Sequence, residues 1–295
     1  MQAETACAPD QGVALQVLGS GGPIADDGRA SAGYLLWIDG RSRLLIDAGG
    51  GVFLRFAEAG ARFGDLDVIA LSHLHTDHSA ALPALLKSGS FSGRTRPLVL
   101  AGPGAGGPFP GVRAFAAALL GSGDGAYGYL SAYLSGKGRL PVLDIQSFSP
   151  RVADRVRNVM LPDADVYSLE TLPVPHGIVP SLAYRVRVGS QTLVFGSDQN
   201  GSSPEFVEFA KGADLLVMHM AIPGDADSVA KRLHATPQRI GEIAGEAKPD
   251  TLVLSHFMRR SLRGLDDNLA AVREGFAGQV ELADDLDCFA LPARK

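Results

Sequence analysis

The segment Ser72-His73-Leu74-His75-Thr76-Asp77-His78 constrains this chain more than any other. Four side chains able to hold a metal fall within six positions, at the end of the strand-like run Val68–Ser72. The chain has only seven histidines, and three of them occupy this window, a clustering that random placement rarely produces. Side chains alternate along an extended strand end, so His73 and His75 can share one ion. Asp77 and His78 lie across the turn and can serve a second. Neutral imidazole with a few carboxylates suits zinc or another borderline first-row metal.

Around this segment the chain reads as alternating strands and helices. Val13–Leu18, Gly33–Asp39, Arg43–Ile46, Val68–Ser72 and Pro97–Ala101 are strand-like in the first half. Leu182–Val188, Thr192–Phe195, Leu215–His219, Thr251–Ser255 and Asp287–Ala290 are strand-like in the second. Helices are expected over Gly51–Ala59, Ser79–Ser88 with Ser79 as N-cap, Val112–Leu120, Pro204–Lys211, Pro237–Ala247 and Asp266–Phe276. The pattern predicts one domain over 1–295, built of two α/β halves (about 12–170 and 171–290) packed as a layered sandwich. Hydrophobic residues at 46% against 20% charged exclude a wholly disordered chain. No apolar run approaches the ~18 residues of a membrane span. A net charge of −5 supplies no global field for nucleic acid.

The HxHxDH pattern at His73, His75, Asp77 and His78 resembles the hallmark of the metallo-β-lactamase superfamily. That resemblance asks for a further His, Asp and His at later strand ends. His176 after Leu172-Pro173-Val174-Pro175, Asp198 after Phe195-Gly196-Ser197, and His256 after Leu252-Val253-Leu254-Ser255 stand in that order. The implied fold is a four-layer αβ/βα sandwich with the site in a cleft at its edge. The resemblance assigns His73, His75 and His176 to one Zn2+ and Asp77, His78 and His256 to the other, with Asp198 bridging both. Asp77 would also handle the proton of a hydroxide held between the ions.

Within the superfamily the chain is most similar to the ribonuclease Z-like branch, through Leu18-Gly19-Ser20-Gly21-Gly22-Pro23 with Arg29, Leu44-Leu45-Ile46-Asp47-Ala48-Gly49, and His234-Ala235-Thr236. His234 thereby becomes a candidate proton donor or transition-state stabiliser. Where that branch has His-Glu-Ala-Thr, this chain has His219-Met220-Ala221-Ile222, so His219 is either a neighbour of the ligands or a core histidine. Only 22 positions separate His176 from Asp198, which leaves no room for the basic arm of tRNA-processing members and argues against tRNA as substrate. Members of the branch often dimerise, so a homodimer is compatible with the resemblance.

Arg259, Arg260 and Arg263 follow His256, and Lys231 and Arg232 precede His234. In a net acidic chain this local bias points to an anionic substrate, with Arg259 and Arg260 as its contacts. The expected activity is hydrolysis of a small anionic phosphodiester, such as a cyclic nucleotide. Sulfate esters, as in related arylsulfatases, and lactones or β-lactams are alternatives. A non-catalytic metal-binding sensor is the reading outside enzymology. The Gly- and Ala-rich stretch Gly102–Ser135, with Phe109 and several tyrosines, either overhangs the cleft or packs as a helical excursion.

Cys7 and Cys288 are the only cysteines and form no CxxC. They are either two unrelated thiols or one disulfide tying the chain ends together. Met1–Ala6 lacks the charged and apolar regions of a signal peptide. A disulfide would suit the mature form of an exported protein, periplasmic or secreted, and free thiols a cytoplasmic one.

Overall fold

The computed structural model describes residues 7–138, 140–152, 154–162 and 165–291. Met1–Ala6, read above for signal-peptide features, lie outside them. Two seven-stranded sheets face each other. The first holds β1 (Val13–Gly19), β2 (Gly33–Ile38), β3 (Arg41–Ile46), β4 (Val68–Ala70), β5 (Leu98–Pro103) and β6 (Leu143–Phe148). The second holds β7 (Arg157–Val159), β8 (Ser168–His176), β9 (Val179–Val188), β10 (Gln191–Phe195), β11 (Leu215–His219), β12 (Thr251–Ser255) and β13 (Gln279–Leu282). The final strand, β14 (Cys288–Leu291), returns to the first sheet. The orders are β14-β1-β2-β3-β4-β5-β6 and β13-β12-β11-β10-β9-β8-β7.

Alternate residues of both sheets meet between them, among them Leu15, Tyr34, Leu44 and Val68 from one and Tyr184, Leu193, Val217 and Val253 from the other. The outer face of the first sheet packs on helices Val52–Glu58, Leu82–Gly89 and Val112–Leu120. The outer face of the second packs on helices Pro204–Ala210, Pro237–Ala247 and Leu265–Gly275. This is the expected four-layer sandwich. Strands covered on both faces need no polar side, which is why β1, β2, β4, β5 and β11 are buried along their whole length.

Several elements differ from expectation. β6, β7 and β13 are not among the expected strands, and of β8 only the run Leu172–Pro175 before His176 is expected. In β8, Pro173 and Pro175 interrupt an otherwise strand-like run, and proline removes a ladder donor. The short β7 pairs only with Leu169–Thr171, so β8 runs past it and the prolines lie beyond that partner, paired on the other side with Leu182 and Pro180 of β9. Ser79 does not cap a helix. It ends a separate helical turn, Thr76–Ser79, and its hydroxyl donates back to the His75 carbonyl at 2.9 Å. The next helix begins at Leu82. The stretch Gly102–Ser135 is packed in part: helix Val112–Leu120 and Tyr133 rest on the core, the Tyr133 hydroxyl donating to the Leu86 carbonyl at 2.8 Å, while Tyr127 and Tyr129 are exposed.

Strands β3 to β6 are mutually parallel, as are β10 to β13. Their carboxyl ends therefore open on one edge, where ligands of open α/β sheets gather. Three non-glycine residues at this edge, Asp47, Ser197 and His256, have positive φ of 59°, 58° and 58°. Each such residue costs on the order of 1 kcal/mol, which surrounding contacts must offset.

Candidate metal centre

All seven histidines converge at that edge. Ring centroids of His73 and His78 are 3.9 Å apart, those of His219 and His256 4.5 Å, and those of His176 and His234 5.3 Å. The HxHxDH loop is anchored by backbone bonds to the turn after β3: Ala48 N–H donates to the His78 carbonyl at 2.8 Å, and Ala81 N–H to the Ala48 carbonyl at 2.8 Å. Gly49 permits this approach, since a Cβ there would sit 2.1 Å from the Asp77 carbonyl oxygen.

The outer hydrogen bonds fix which nitrogen each ring turns inward. His176 Nδ1 lies 2.7 Å from the Leu233 carbonyl, which can only accept, so Nδ1 carries the proton and Nε2 is bare. His78 Nδ1 donates likewise to Asp47 Oδ2 at 2.7 Å. Ser72 Oγ donates to that same carboxylate oxygen at 2.7 Å and so accepts from His73 Nδ1 at 3.1 Å. His73, His78 and His176 thus each turn Nε2 to the centre. Asp47 and Ser72 are functional residues that the sequence reading did not single out in this role.

The inward atoms form two groups around one carboxylate. His73, His75 and His176 make one, and Asp77, His78, Asp198 and His256 make the other, while His176, Asp198 and His234 form a third set overlapping both, with potential ligand atoms in each within 4.8 Å of one another. Asp198 Oδ2 lies 3.9 Å from His73 Nε2, 3.7 Å from His176 Nε2 and 3.7 Å from His78 Nε2. Its Oδ1 lies 3.6 Å from His256 Nε2. Asp77 Oδ2 lies 3.4 Å from His78 Nε2 and 3.2 Å from His256 Nε2.

These residues fit divalent cations. His73 Nε2 and His75 Nδ1 are 3.0 Å apart, and His78 Nε2 and His256 Nε2 3.1 Å. At that range the two nitrogens of each pair share either a proton or a cation. Metal–nitrogen bonds of about 2.0–2.1 Å in a tetrahedron place neighbouring donors about 3.3 Å apart. Buried His176 Nε2 has no hydrogen-bond partner, an orphaned acceptor aimed at the same space. Asp77 and Asp198 are buried, and all their described side-chain hydrogen-bond and ion-pair partners are histidines.

Electrostatics agree. Burial pushes Asp198 up, but the imidazoles of His256 and His234 and hydrogen bonds from His219 and His78 hold it well below the usual carboxylate range. Asp77 is likewise held low, against burial, by His256 and His78. Burial pushes His73 well down. His78 is pushed up despite burial, chiefly by the Asp47 carboxylate. Without a metal, a proton on His78 supplies the positive charge the carboxylates demand.

His219 and His234 complete the shell. His219 Nδ1 donates to Asp198 Oδ1 at 2.7 Å, and its Nε2 lies 2.9 Å from the Tyr34 hydroxyl, itself 3.0 Å from Ser255 Oγ. Burial takes His219 down to about 4, so the ring is neutral. His234 Nδ1 lies 3.7 Å from Asp198 Oδ1 without a hydrogen-bond partner, and burial takes this ring down to about 3. A cavity of about 510 Å³ opens over the centre, walled by Asp77, Asp198, His234, Met258 and Arg260 among others. Arg260 thus reaches the cleft, with Nε donating to the Ala221 carbonyl at 3.1 Å. Arg259 does not line the cavity. Its guanidinium turns to Asp26. Phe109 is edge-on to His75 at 6.2 Å.

Known proteins resemble this chain in sequence and in fold. A family profile described as anti-Pycsar protein Apyc1 matches residues 13–104, about a third of the chain. Ribonuclease Z of Mycobacterium marinum (strain ATCC BAA-535 / M) is 27% identical over 96% of this chain and 100% of its own. The short form of human tRNase Z superposes with a TM-score of 0.72 at 20% identity, over 95% of this chain and 100% of that one. The Bacillus subtilis protein YhfI, whose metallo-β-lactamase fold is known, gives 0.69 at 21% identity, over 94% and 98%. The chain has the metallo-β-lactamase fold. Its sequence is similar to ribonucleases Z, at 27–29% identity over most of both chains. In this metallo-β-lactamase-fold protein the interval between His176 and Asp198 is occupied by β9 and β10 and their turns. No helix among the described residues is long and apolar enough to cross a membrane.

Proposed function

We propose that the protein is a metal-dependent phosphodiester hydrolase that holds two Zn2+ ions and acts on a small anionic phosphodiester such as a cyclic nucleotide. The observation that carries this reading is the position of Asp198 Oδ2 within 3.7–3.9 Å of His73, His78 and His176, one carboxylate oxygen common to both ligand groups. His73, His75 and His176 would hold one ion, and Asp77, His78 and His256 the other, with Asp198 between them. Cations bound there supply Lewis acidity and acidify a water toward neutral pH.

The remaining work falls to the chain itself. Asp77 lines the cavity and is ionised, so it can accept or orient a proton at the point of attack. Arg260 brings a permanent positive charge to the same cavity, suited to a phosphate oxygen. His234 is neutral and can donate an N–H to an oxygen that gains charge in the transition state. The similarity to ribonuclease Z supports phosphodiester chemistry. The short His176–Asp198 interval supports a small substrate over tRNA. The Cys7–Cys288 disulfide supports an oxidising compartment, periplasmic or extracellular.

The test is turnover of bis(p-nitrophenyl) phosphate by zinc-loaded protein, with elemental analysis of bound metal. His75→Ala and Asp198→Ala should lose turnover and metal while keeping the fold by circular dichroism. Loaded wild-type protein that hydrolyses sulfate esters, lactones or β-lactams but no phosphodiester would overturn the substrate class.

A further inference from the structure

A second cavity, of about 740 Å³, adjoins the metal cavity, and His176 belongs to the walls of both. Its other walls come from the loop Gly104–Gly107 after β5, the end of β6 and the residues after it from Ser147 to Val152, and the β8–β9 hairpin from Val174 to Pro180. The volume falls in the range of small-molecule sites, about 300–1,000 Å³.

The loops are packed to keep this space open. A Cβ on Gly106 would lie 2.9 Å from Pro180 Cγ, so the glycine loop rests directly on β9. Gly177 N–H donates to the Arg232 carbonyl at 3.1 Å, and a Cβ on Gly177 would lie 2.8 Å from Leu233 Cδ2. The turn is therefore pinned on one side. On the other, Ile178 is 73% exposed at the groove. The lining is chiefly backbone, proline rings and apolar side chains, including Phe148, Pro150, Pro175 and Pro180. Apart from the shared His176, Arg151 is the one ionisable side chain among the lining residues.

We propose that this groove is the subsite for the organic group of the ester, and that it selects a planar aromatic group, a nucleobase or an aryl ring. Its phosphate would then occupy the metal cavity across His176. This inference rests on the phosphodiester reading above. The chemistry of the walls argues for it: the proline rings, the Phe148 ring and exposed glycine peptides suit a stacked ring and offer few partners to a polyanion. Ile178 is the specificity-determining residue, because it meets the bound ring yet packs nothing essential to the fold.

The experiment is calorimetric titration of zinc-loaded protein with methyl phosphate, phenyl phosphate and adenosine 5′-monophosphate, for wild type, Ile178→Ala and Ile178→Asp. Phenyl phosphate and adenosine 5′-monophosphate should bind wild type about tenfold or more tighter than methyl phosphate, a margin typical of a filled apolar pocket. Ile178→Ala should erase part of that margin, and Ile178→Asp, which also adds a like charge, should weaken the two aromatic ligands more than methyl phosphate and erase most of it. Equal affinity of all three ligands for wild type, no binding of any, or equal weakening of all three in Ile178→Asp would overturn the subsite. The relative affinities of phenyl phosphate and adenosine 5′-monophosphate separate an aryl from a nucleobase preference. Protein that shows the margin but hydrolyses no phosphodiester refutes the hydrolase reading and not the groove. Protein that hydrolyses phosphodiesters with no margin refutes the groove alone.

Discussion

His219 Nδ1 donates to Asp198 Oδ1 at 2.7 Å, on the same carboxylate whose Oδ2 faces His73, His78 and His176. The Tyr34 hydroxyl lies 2.9 Å from the other nitrogen of His219, on the core side, and donates to Ser255 Oγ at 3.0 Å. Both residues are buried, so neither can be replaced by water without rearrangement. A partner that orients a metal-binding carboxylate is worth roughly 10–100-fold in metal affinity or activity. His219→Ala should therefore weaken zinc binding by about that factor. Tyr34→Phe should cost less, since the bond to Asp198 survives. Competition with a fluorescent chelator orders the two. His219→Ala binding zinc as tightly as wild type would remove His219 from any role at the centre.

Asp47 bears the same relation to His78. Its Oδ2 accepts from His78 Nδ1 and Ser72 Oγ, and its Oδ1 accepts from Ser72 N–H at 2.7 Å. Asparagine tolerates the positive φ at this position, so Asp47→Asn isolates the chemistry from the backbone. An amide cannot accept at both sites. With its NH2 toward His78, the ring would shift its proton to Nε2 and lose the lone pair that faces the centre. Zinc retained after dialysis should fall about 10–100-fold in affinity terms, while the melting temperature of metal-free protein changes little. Full zinc content in this variant would contradict the tautomer argument.

Much of the centre was legible in the sequence because its chemistry needs particular side chains in a particular order. His73, His75, Asp77, His78, His176, Asp198 and His256 announce themselves as residue types. Asp47 and Tyr34 do not, because an acid after a strand and a tyrosine within one have many ordinary uses. Their roles depend on which sheet edge they reach, and that is set by long-range pairing. β2 is antiparallel to β3, which brings Tyr34, near its start, opposite Ile46 at the end of β3. β8 was obscured by Pro173 and Pro175, whose missing donors matter only if a strand lies on that flank. The basic cluster after His256 reads as uniform in sequence, yet Arg260 lines the cleft while Arg259 turns to Asp26. A one-residue step on a short helix is enough to separate them.

Proton binding should oppose metal binding. A ligand imidazole must be neutral, and metal-free His78 is held protonated to a higher pH than usual by Asp47. Zinc affinity should therefore rise as pH increases through the raised His78 value and fall in acid. The sign for metal-free stability is opposite. A folded pKa raised above the unfolded one contributes stability at low pH that disappears as pH climbs through the folded value. Zinc titrations at several pH values, with parallel denaturation of metal-free protein, check both slopes. A zinc affinity that is flat between mildly acidic and neutral pH would count against His78 as a ligand.

Away from the centre, Glu170 offers a cleaner acid-linked test. It lies on β8 and accepts from Arg185 Nε at 2.7 Å and from Arg187, while Arg185 stacks on Phe209 at 4.2 Å. Burial pushes Glu170 up, but the two guanidinium groups outweigh it and hold the carboxyl below its usual value of 4.5. A depressed folded pKa contributes stability above the unfolded value, lost as pH falls through the folded one. Glu170→Gln should cost on the order of 1 kcal/mol at neutral pH and progressively less below about 4.5. Urea denaturation at pH 7 and in acid measures the difference. An equal cost at both would mean that packing, not charge, holds this site.

The Cys7–Cys288 disulfide closes nearly the whole chain, its partners standing 281 positions apart. It joins the buried Cys7 to β14, whose pairing with β1 completes the edge of the first sheet. The loop before β14 carries Asp285, which accepts from Ser20 N–H, Ser20 Oγ and the Ala30 N–H. Those bonds hold the glycine loop that backs the metal centre, where a Cβ on Gly22 would lie 3.0 Å from His256 Cε1. A cross-link over so long a loop removes much denatured-state freedom and is worth about 2–5 kcal/mol. Reductant should lower the denaturation midpoint of wild-type protein by a corresponding amount. A Cys7→Ser, Cys288→Ser double variant should start at the lower midpoint and ignore reductant. If reduction leaves the wild-type midpoint in place, β14 is held by its hydrogen bonds and side-chain packing alone, and the bridge contributes nothing to the edge it joins.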